Sequence, residues 1–302
     1  MRGTVIVLKY AVWLIAFGVS CSAADLVSDV RDAAGLGDFA KASGYIQTYE
    51  KQRGQTPESI LAVSWLGRSA LAQKKYDEAD RYAQDTYQRA QKELKKRPLD
   101  REPTLPLALG ASLEVQGQVL AAKGQRTEAV SMLEAELKKY ANTSIHARIR
   151  KNINLLSLEG KPAPALEGIA LPKGRPALLF FWAHWCGDCR AEAPALARLK
   201  KEFGPKGVAF IAPTQKYGYI GADDNVPPSV EVPHIEKIRK EFYSAVVDGP
   251  AAVSERNFLN YGVSTTPTLA LVDKHGVVRL YHPGGMTYEE LRSALEAVLA
   301  RP

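Results

Sequence analysis

Phe180-Phe181-Trp182-Ala183-His184-Trp185-Cys186-Gly187-Asp188-Cys189-Arg190 is the stretch that decides how this chain reads. An apolar, aromatic run ends in two cysteines two residues apart, and a helix-compatible segment follows. That order predicts a buried strand delivering a Cys-x-x-Cys pair to the first turn of a helix. Unpaired backbone N–H groups and the positive end of the helix dipole there favour a thiolate on the first sulfur. The chemistry implied is thiol–disulfide exchange. Zinc needs about four ligands, but there is no second cysteine pair, and His184, His234, His275 and His282 are scattered.

Working outward, strand and helix signals alternate. Ala177–Trp182 is continuously apolar, as strands buried on both faces are. A helix is expected from Cys186 to about Phe203, and a second buried strand over Gly207–Ala212. Pro213–Pro233, with Pro227-Pro228 and Asp223-Asp224, reads as a long irregular insertion. Its Tyr217 and Tyr219 either line the active surface or pack over the core. Helices are expected at His234–Ala245 and Val253–Tyr261. Leu269–Val272 and Val277–Tyr281, joined by Asp273-Lys274-His275-Gly276, read as an antiparallel hairpin. Thr287-Tyr288-Glu289-Glu290 is a capping box opening the last helix.

The first half is different. From Asp25 to about Gly160 strand signals are scarce and apolar residues recur at helical spacing. Three places share a turn followed by a long side chain and then Ala: Gly37-Asp38-Phe39…Ala42, Lys75-Tyr76…Ala79 and Gln125-Arg126…Ala129. Leu66-Gly67 and Leu109-Gly110 put small residues inside helices, as closely paired helices require. The stretch from Ser64 to Ala83 resembles a tetratricopeptide repeat, but the three turns are unevenly spaced where that family repeats about every 34 residues. Prolines 98, 103 and 106 mark a loop. The array is either a spacer or a concave surface for a protein partner.

The 302 residues and formal charge of +7 suit two globular domains of roughly 150 residues each. The charge is spread over both halves and makes no concentrated basic face, which argues against nucleic acid as a partner. Residues 1–24 read as a leader: Arg2 and Lys9, an apolar stretch, then small residues through Ala24. Cleavage there, an uncleaved anchor and lipidation at Cys21 remain open, although Gly18 stands where a lipoprotein site carries Leu. Export places the chain outside the reducing cytosol, and loss of Cys21 leaves Cys186 and Cys189 as its only thiols. The expected division is 1–24 leader, 25–160 all-α helical repeats, and 161–302 an α/β domain with a mixed sheet, the change falling near Gly160-Lys161-Pro162-Ala163-Pro164.

With Trp185-Cys186-Gly187-Asp188-Cys189, Thr266-Pro267-Thr268 and the β–α–β–α–β–β–α order in place, residues 161–302 resemble the thioredoxin superfamily, in particular its exported TlpA/ResA-like branch. The resemblance implies Cys186 as nucleophile, Cys189 as resolving thiol, and Pro267 as a cis-proline that leaves Thr266 free to pair with substrate beside Trp185. Many thioredoxins carry a buried Asp six residues before the first cysteine; here that residue is Phe180. ResA-like proteins place a Glu three residues after the second cysteine, which is Glu192 here, a candidate proton relay. Pro194 matches the family's helix-kink proline.

Two residues depart from the branch. Asp188 replaces the usual proline and would raise the Cys186 pKa, although losing the proline restores a backbone N–H. His184 is either a cation that offsets Asp188 or an ordinary exposed loop residue. The implied activity is reduction of disulfides in exported proteins or apocytochromes, as in cytochrome c biogenesis, with electrons from a membrane thiol donor and no metal or organic cofactor. An oxidase or isomerase, and a non-catalytic adaptor, are the alternatives.

Overall fold

The computed structural model describes residues 23–247 and 249–301. Most of the expected leader, with Cys21, lies outside the described residues. No described helix is long and apolar enough to cross a membrane.

The N-terminal half is all-helical: α1 Ala23–Gly35, α2 Phe39–Arg53, α3 Pro57–Ala72, α4 Tyr76–Leu94, α5 Leu105–Ala122, α6 Arg126–Lys139 and α7 His146–Ser157. The three turn signals open α2, α4 and α6. Each follows a residue with positive φ, at Gly37, Lys74 and Gly124, and each is followed by a fully buried alanine, Ala42, Ala79 or Ala129. At the first turn the Asp38 carboxylate also accepts the Lys41 N–H, 2.9 Å away. Hairpins α1–α2, α3–α4 and α5–α6 therefore form, and α1, α3, α5 and α7 pack successively against one another.

Gly67 performs its expected task, with the α4 backbone at Ala79 and Ala83 only 3.5 Å from where a Cβ would stand. Gly110 does not. Its missing Cβ makes room for Arg148 of α7, while Gly117 receives Leu133 of α6. The reading of Gly110 as a contact for a paired helix is corrected on that ground. Pro106 lies in the first turn of α5 rather than in the loop, because a helix's first N–H groups need no internal partner.

The C-terminal half is α/β: β1 Ala177–Phe181, α8 Gly187–Phe203, β2 Ala209–Ile211, β3 Pro213–Thr214, β4 Tyr219–Ile220, β5 Asp223–Asp224, α9 Pro228–Tyr243, β6 Ala252–Val253, α10 Glu255–Tyr261, β7 Thr268–Val272, β8 Val278–Pro283 and α11 Tyr288–Leu299. The main sheet runs β2-β1-β7-β8, with β1 parallel to β2 and antiparallel to β7, and β7–β8 a hairpin. This is the mixed sheet of a thioredoxin-like fold.

Both faces of β1 are covered, which is why its sequence shows no alternation. Leu178 and Phe180 join Trp182, Tyr243 and the α8 and α11 apolar faces. Leu179 and Phe181 join Phe258, Tyr261 and Tyr281 on the other side. Each such fully buried Phe contributes roughly 2–3 kcal/mol through burial. The Thr287 capping box opens α11 as expected.

The insertion is more regular than its prolines imply. It holds the short β4–β5 pair and β3, which pairs with β6 beyond α9, and α9 begins at Pro228 rather than His234. Proline is tolerated in a helix's first turn; Pro233 stays inside α9 despite the N–H it lacks.

The two halves meet through α7, which packs on α10 and β8. Buried Asn154 donates to the Tyr261 carbonyl at 2.8 Å, and the Tyr281 hydroxyl donates to the same carbonyl at 2.7 Å. Gly262 sits there with φ +64°, and a Cβ on it would stand 2.4 Å from the Lys151 nitrogen. Gly262→Ala is therefore expected to lose about 2 kcal/mol or more of stability, read as a lowered denaturant midpoint. An unchanged midpoint would mean the junction gives way freely.

Candidate active site

The apolar strand β1 ends below the surface, and the chain turns through Trp182–Trp185 into α8. Cys186 is the N-cap of that helix, and the Cys189 N–H donates to its sulfur at 3.0 Å. The two sulfurs are joined in a disulfide with Cα atoms 5.3 Å apart. Cys186 is 3% exposed and Cys189 fully buried, so a partner can approach only the first. Once reduced, the Cys186 sulfur would keep a backbone donor and the helix dipole, both of which favour its thiolate. That donor belongs to residue 189, which a proline at 188 would also have left in place. The backbone freedom expected from Asp188 is therefore not what serves Cys186. The Asp188 side chain itself is exposed.

An aromatic and backbone rim surrounds the pair. Trp185 is 46% exposed and stands against Tyr217 and Tyr219, with ring centroids 5.4 and 6.4 Å away. Tyr217 and Tyr219 thus line the surface, and Tyr217 also packs on Phe258. Opposite, the Thr266–Pro267 peptide bond is cis. Among the described residues the Thr266 main chain makes no hydrogen bond, and its Oγ1 is buried without a partner. An extended peptide laid across Thr266 would find both backbone groups free.

Behind the pair lies Glu192, 7% exposed and one helical turn after Cys189. The Met286 N–H donates to its Oε1 at 2.9 Å, while Oε2 has no partner. Burial pushes its pKa above the usual carboxylate value; the Met286 donor and His282 oppose this without cancelling it. A buried carboxyl on the same helix face as the inner sulfur, with one oxygen uncommitted, is able to take and return a proton. Phe180, at the position where many thioredoxins bury an acid, is 1% exposed and packs edge-on against Tyr243 at 5.5 Å. That leaves Glu192 as the carboxyl behind the cysteines.

His184 is not an exposed loop residue. It is 2% exposed, ringed by Tyr217, Tyr219 and His234 at 5.2–5.8 Å, with Nε2 3.4 Å from a Glu231 oxygen. Burial, then the neighbouring His234, lower its pKa against the pull of Glu231. The neutral ring is favoured, which weighs against the alternative of a cation at His184. A fixed charge stands nearby in its place: Arg190 donates to the His184 carbonyl at 2.7 Å and lies over Phe242.

Sequence reasoning missed three groups. Buried Glu231 accepts the Tyr217 and Gly218 N–H groups and so ties the insertion over the site. Tyr243, its hydroxyl buried without a partner, is electrostatically coupled to both Arg190 and Glu192. Ser144 and Ala147 of the helical half share a cavity of about 420 Å³ with Trp185 and Thr266. None carries a local motif; each depends on chain distant in sequence. Among the described residues, no group of three or more His, Cys, Asp or Glu is placed to hold a metal ion.

Fold and site together define a thioredoxin-like domain with a vicinal cysteine pair at a helix N-terminus. A family profile described as Redoxin matches residues 169–299, within the C-terminal half of the chain. The thioredoxin-like protein YneN of Bacillus subtilis (strain 168) is 30% identical over 126 residues, 41% of this chain and 65% of that protein. The thiol:disulfide interchange protein DsbE of Pseudomonas aeruginosa is 30% identical over 134 residues, again 41% and 65%. The chain thus spans just under two thirds of these relatives. The pneumococcal exposed lipoprotein thioredoxin Etrx1 from Streptococcus pneumoniae is 24% identical, covering 45% of this chain and 98% of that structure, with a TM-score of 0.34.

Proposed function

We propose that the protein is an exported thiol–disulfide oxidoreductase that reduces disulfides in other exported proteins, apocytochromes among them. The observation that carries this is the Cys186 sulfur, capped by the Cys189 N–H at 3.0 Å beside a free Thr266 main chain. The name of DsbE, a thiol:disulfide interchange protein, supports the reaction class, and the leader read at residues 1–24 supports export.

In the working cycle a membrane thiol donor reduces the Cys186–Cys189 disulfide. The Cys186 thiolate attacks one sulfur of a substrate disulfide held along Thr266 and against Trp185, giving a mixed disulfide and releasing the other substrate sulfur as a thiol. Glu192 takes the proton of Cys189, whose sulfur attacks Cys186. The substrate leaves with two electrons and two protons more, and the enzyme disulfide is restored. Asp188 acts through the charge it places near Cys186, while His184, its ring neutral, adds none.

An insulin-reduction assay driven by dithiothreitol tests this reading. The wild-type protein is expected to accelerate precipitation of the insulin B chain; no acceleration would favour a non-catalytic adaptor. Trp185→Ala should raise KM for insulin about three- to tenfold, since a half-exposed aromatic anchor is worth about 1 kcal/mol. An unchanged KM would remove Trp185 from substrate binding.

A further inference from the structure

The face of the helical half nearest the cysteines carries more positive charge than its own carboxylates balance. Arg68, Arg148 and Lys151 surround one acid, Glu114. Arg148 Nη2 and Lys151 Nζ lie 3.0 and 3.4 Å from the same Glu114 oxygen, with side chains only 17% and 14% exposed. Arg148 also donates to the Leu107 carbonyl at 3.2 Å, in the space left by Gly110. Arg68 lies over Trp65, and among the described residues it makes no ion pair with a carboxylate. Burial first, and repulsion from Arg148, pull both Arg68 and Lys151 below their ordinary pKa. Half-buried cations that repel one another and share a single acid form a ready receptor for a further anion.

The cluster opens onto the redox site. It lines a cavity of about 430 Å³ whose other wall is Ser264 and Thr265. The same two residues, with Ser144, continue into the cavity of about 420 Å³ that reaches Trp185 and Thr266. In the other direction Arg68 and Glu114 also border a concavity of about 620 Å³ between α3 and α5. These three concavities share lining residues and together make a groove that starts beside the cysteine pair, at Trp185 and Thr266, and crosses the junction onto the helical half.

We propose that this groove is the track of an extended polypeptide substrate, and that Arg68, Arg148 and Lys151 form a subsite for an acidic side chain of that substrate. The helical half is then part of the substrate-binding surface, selecting disulfides that have an Asp or Glu at a set distance along the chain. This rests on the redox reading of the Cys186–Cys189 pair. Carboxylates are the fitting partner because both arginines offer planar donor pairs and Lys151 a third charge. The groove bordering Thr266, whose main chain is free, suits an extended peptide better than a compact domain.

The test uses the full chain and disulfide-linked fluorogenic peptides in which a Glu is stepped along the sequence away from the cysteine, each with a Gln twin. At one or a few adjacent positions, KM for the Glu peptide is expected to be about tenfold lower than for its twin. Added salt should shrink that preference. Arg148→Gln and, separately, Lys151→Gln should reduce it severalfold, read as the Glu-to-Gln ratio so that any general loss cancels. Wild-type turnover of neutral hydroxyethyl disulfide reports the cysteine pair alone. If that disulfide is reduced and every Glu and Gln twin shows the same KM, the acidic subsite is overturned while the redox reading stands. If neither it nor any peptide is reduced, both fail together.

Discussion

Cys186→Ser is expected to bring insulin reduction down to the uncatalysed background, a loss of about a thousandfold or more. The cycle begins with attack by the sulfur of residue 186. The α8 dipole and the Cys189 N–H, 3.0 Å from that sulfur, have no thiolate to stabilise once it is an alcohol, because a serine hydroxyl does not ionise near neutral pH. Cys189→Ser should behave differently. It keeps the attacking sulfur and loses only the group that resolves the intermediate, so a covalent enzyme–substrate disulfide should accumulate, visible by mass spectrometry under non-reducing conditions. Undiminished turnover by Cys186→Ser would leave the thioredoxin-like domain a passive adaptor. Trapping through residue 189 instead would reverse the two roles. The exposures, 3% for Cys186 and none for Cys189, favour the order stated.

Glu192→Gln is the second large effect, and it moves stability and activity in opposite directions. The carboxyl is buried with one oxygen unpartnered, and burial raises its pKa. A carboxyl whose folded pKa lies above its unfolded value favours folding while protonated, and that contribution is lost as pH rises through the folded pKa. Gln keeps the oxygen that accepts the Met286 N–H and never ionises. The variant should therefore match the wild type in stability at acid pH and exceed it, by on the order of 1 kcal/mol, once pH has risen through the raised carboxyl value. Resolution of the mixed disulfide should slow about a hundredfold near neutral pH, since proton transfer by a placed group is worth about that much, and its rate should lose the pH step that the carboxyl imposes. A variant that gains stability and keeps its pH–rate profile would make Glu192 a buried acid with no part in the chemistry.

How much of this was legible in the sequence depended on how local each signal was. The redox helix, the β7–β8 hairpin and the Thr287 cap are written in consecutive residues, and they stand where expected. The Thr266–Pro267 bond is cis as the resemblance implied. The three turns of the helical half were legible because a left-handed residue, a turn and a buried alanine recur together. Prolines misled the reading where helix N-termini tolerate them, so α9 begins at Pro228 and α5 takes in Pro106. The burial of His184 was not legible because it comes from Tyr217, Tyr219 and Glu231 of the insertion and from His234 just after it. The groove could not be read at all: Arg68, Gly110, Arg148 and Ser264 carry no pattern until α3, α5 and α7 stack and α7 docks on α10.

The central claim is that Cys186 and Cys189 form a working dithiol that gives electrons to substrates. Equilibrating the full chain against dithiothreitol or glutathione buffers and quantifying the free thiols measures it most directly. The account predicts one reversible two-electron couple near thioredoxin's, at about −270 mV. A midpoint near −120 mV would make the protein an oxidant, and a pair that never exchanges with the buffer would contradict the account altogether.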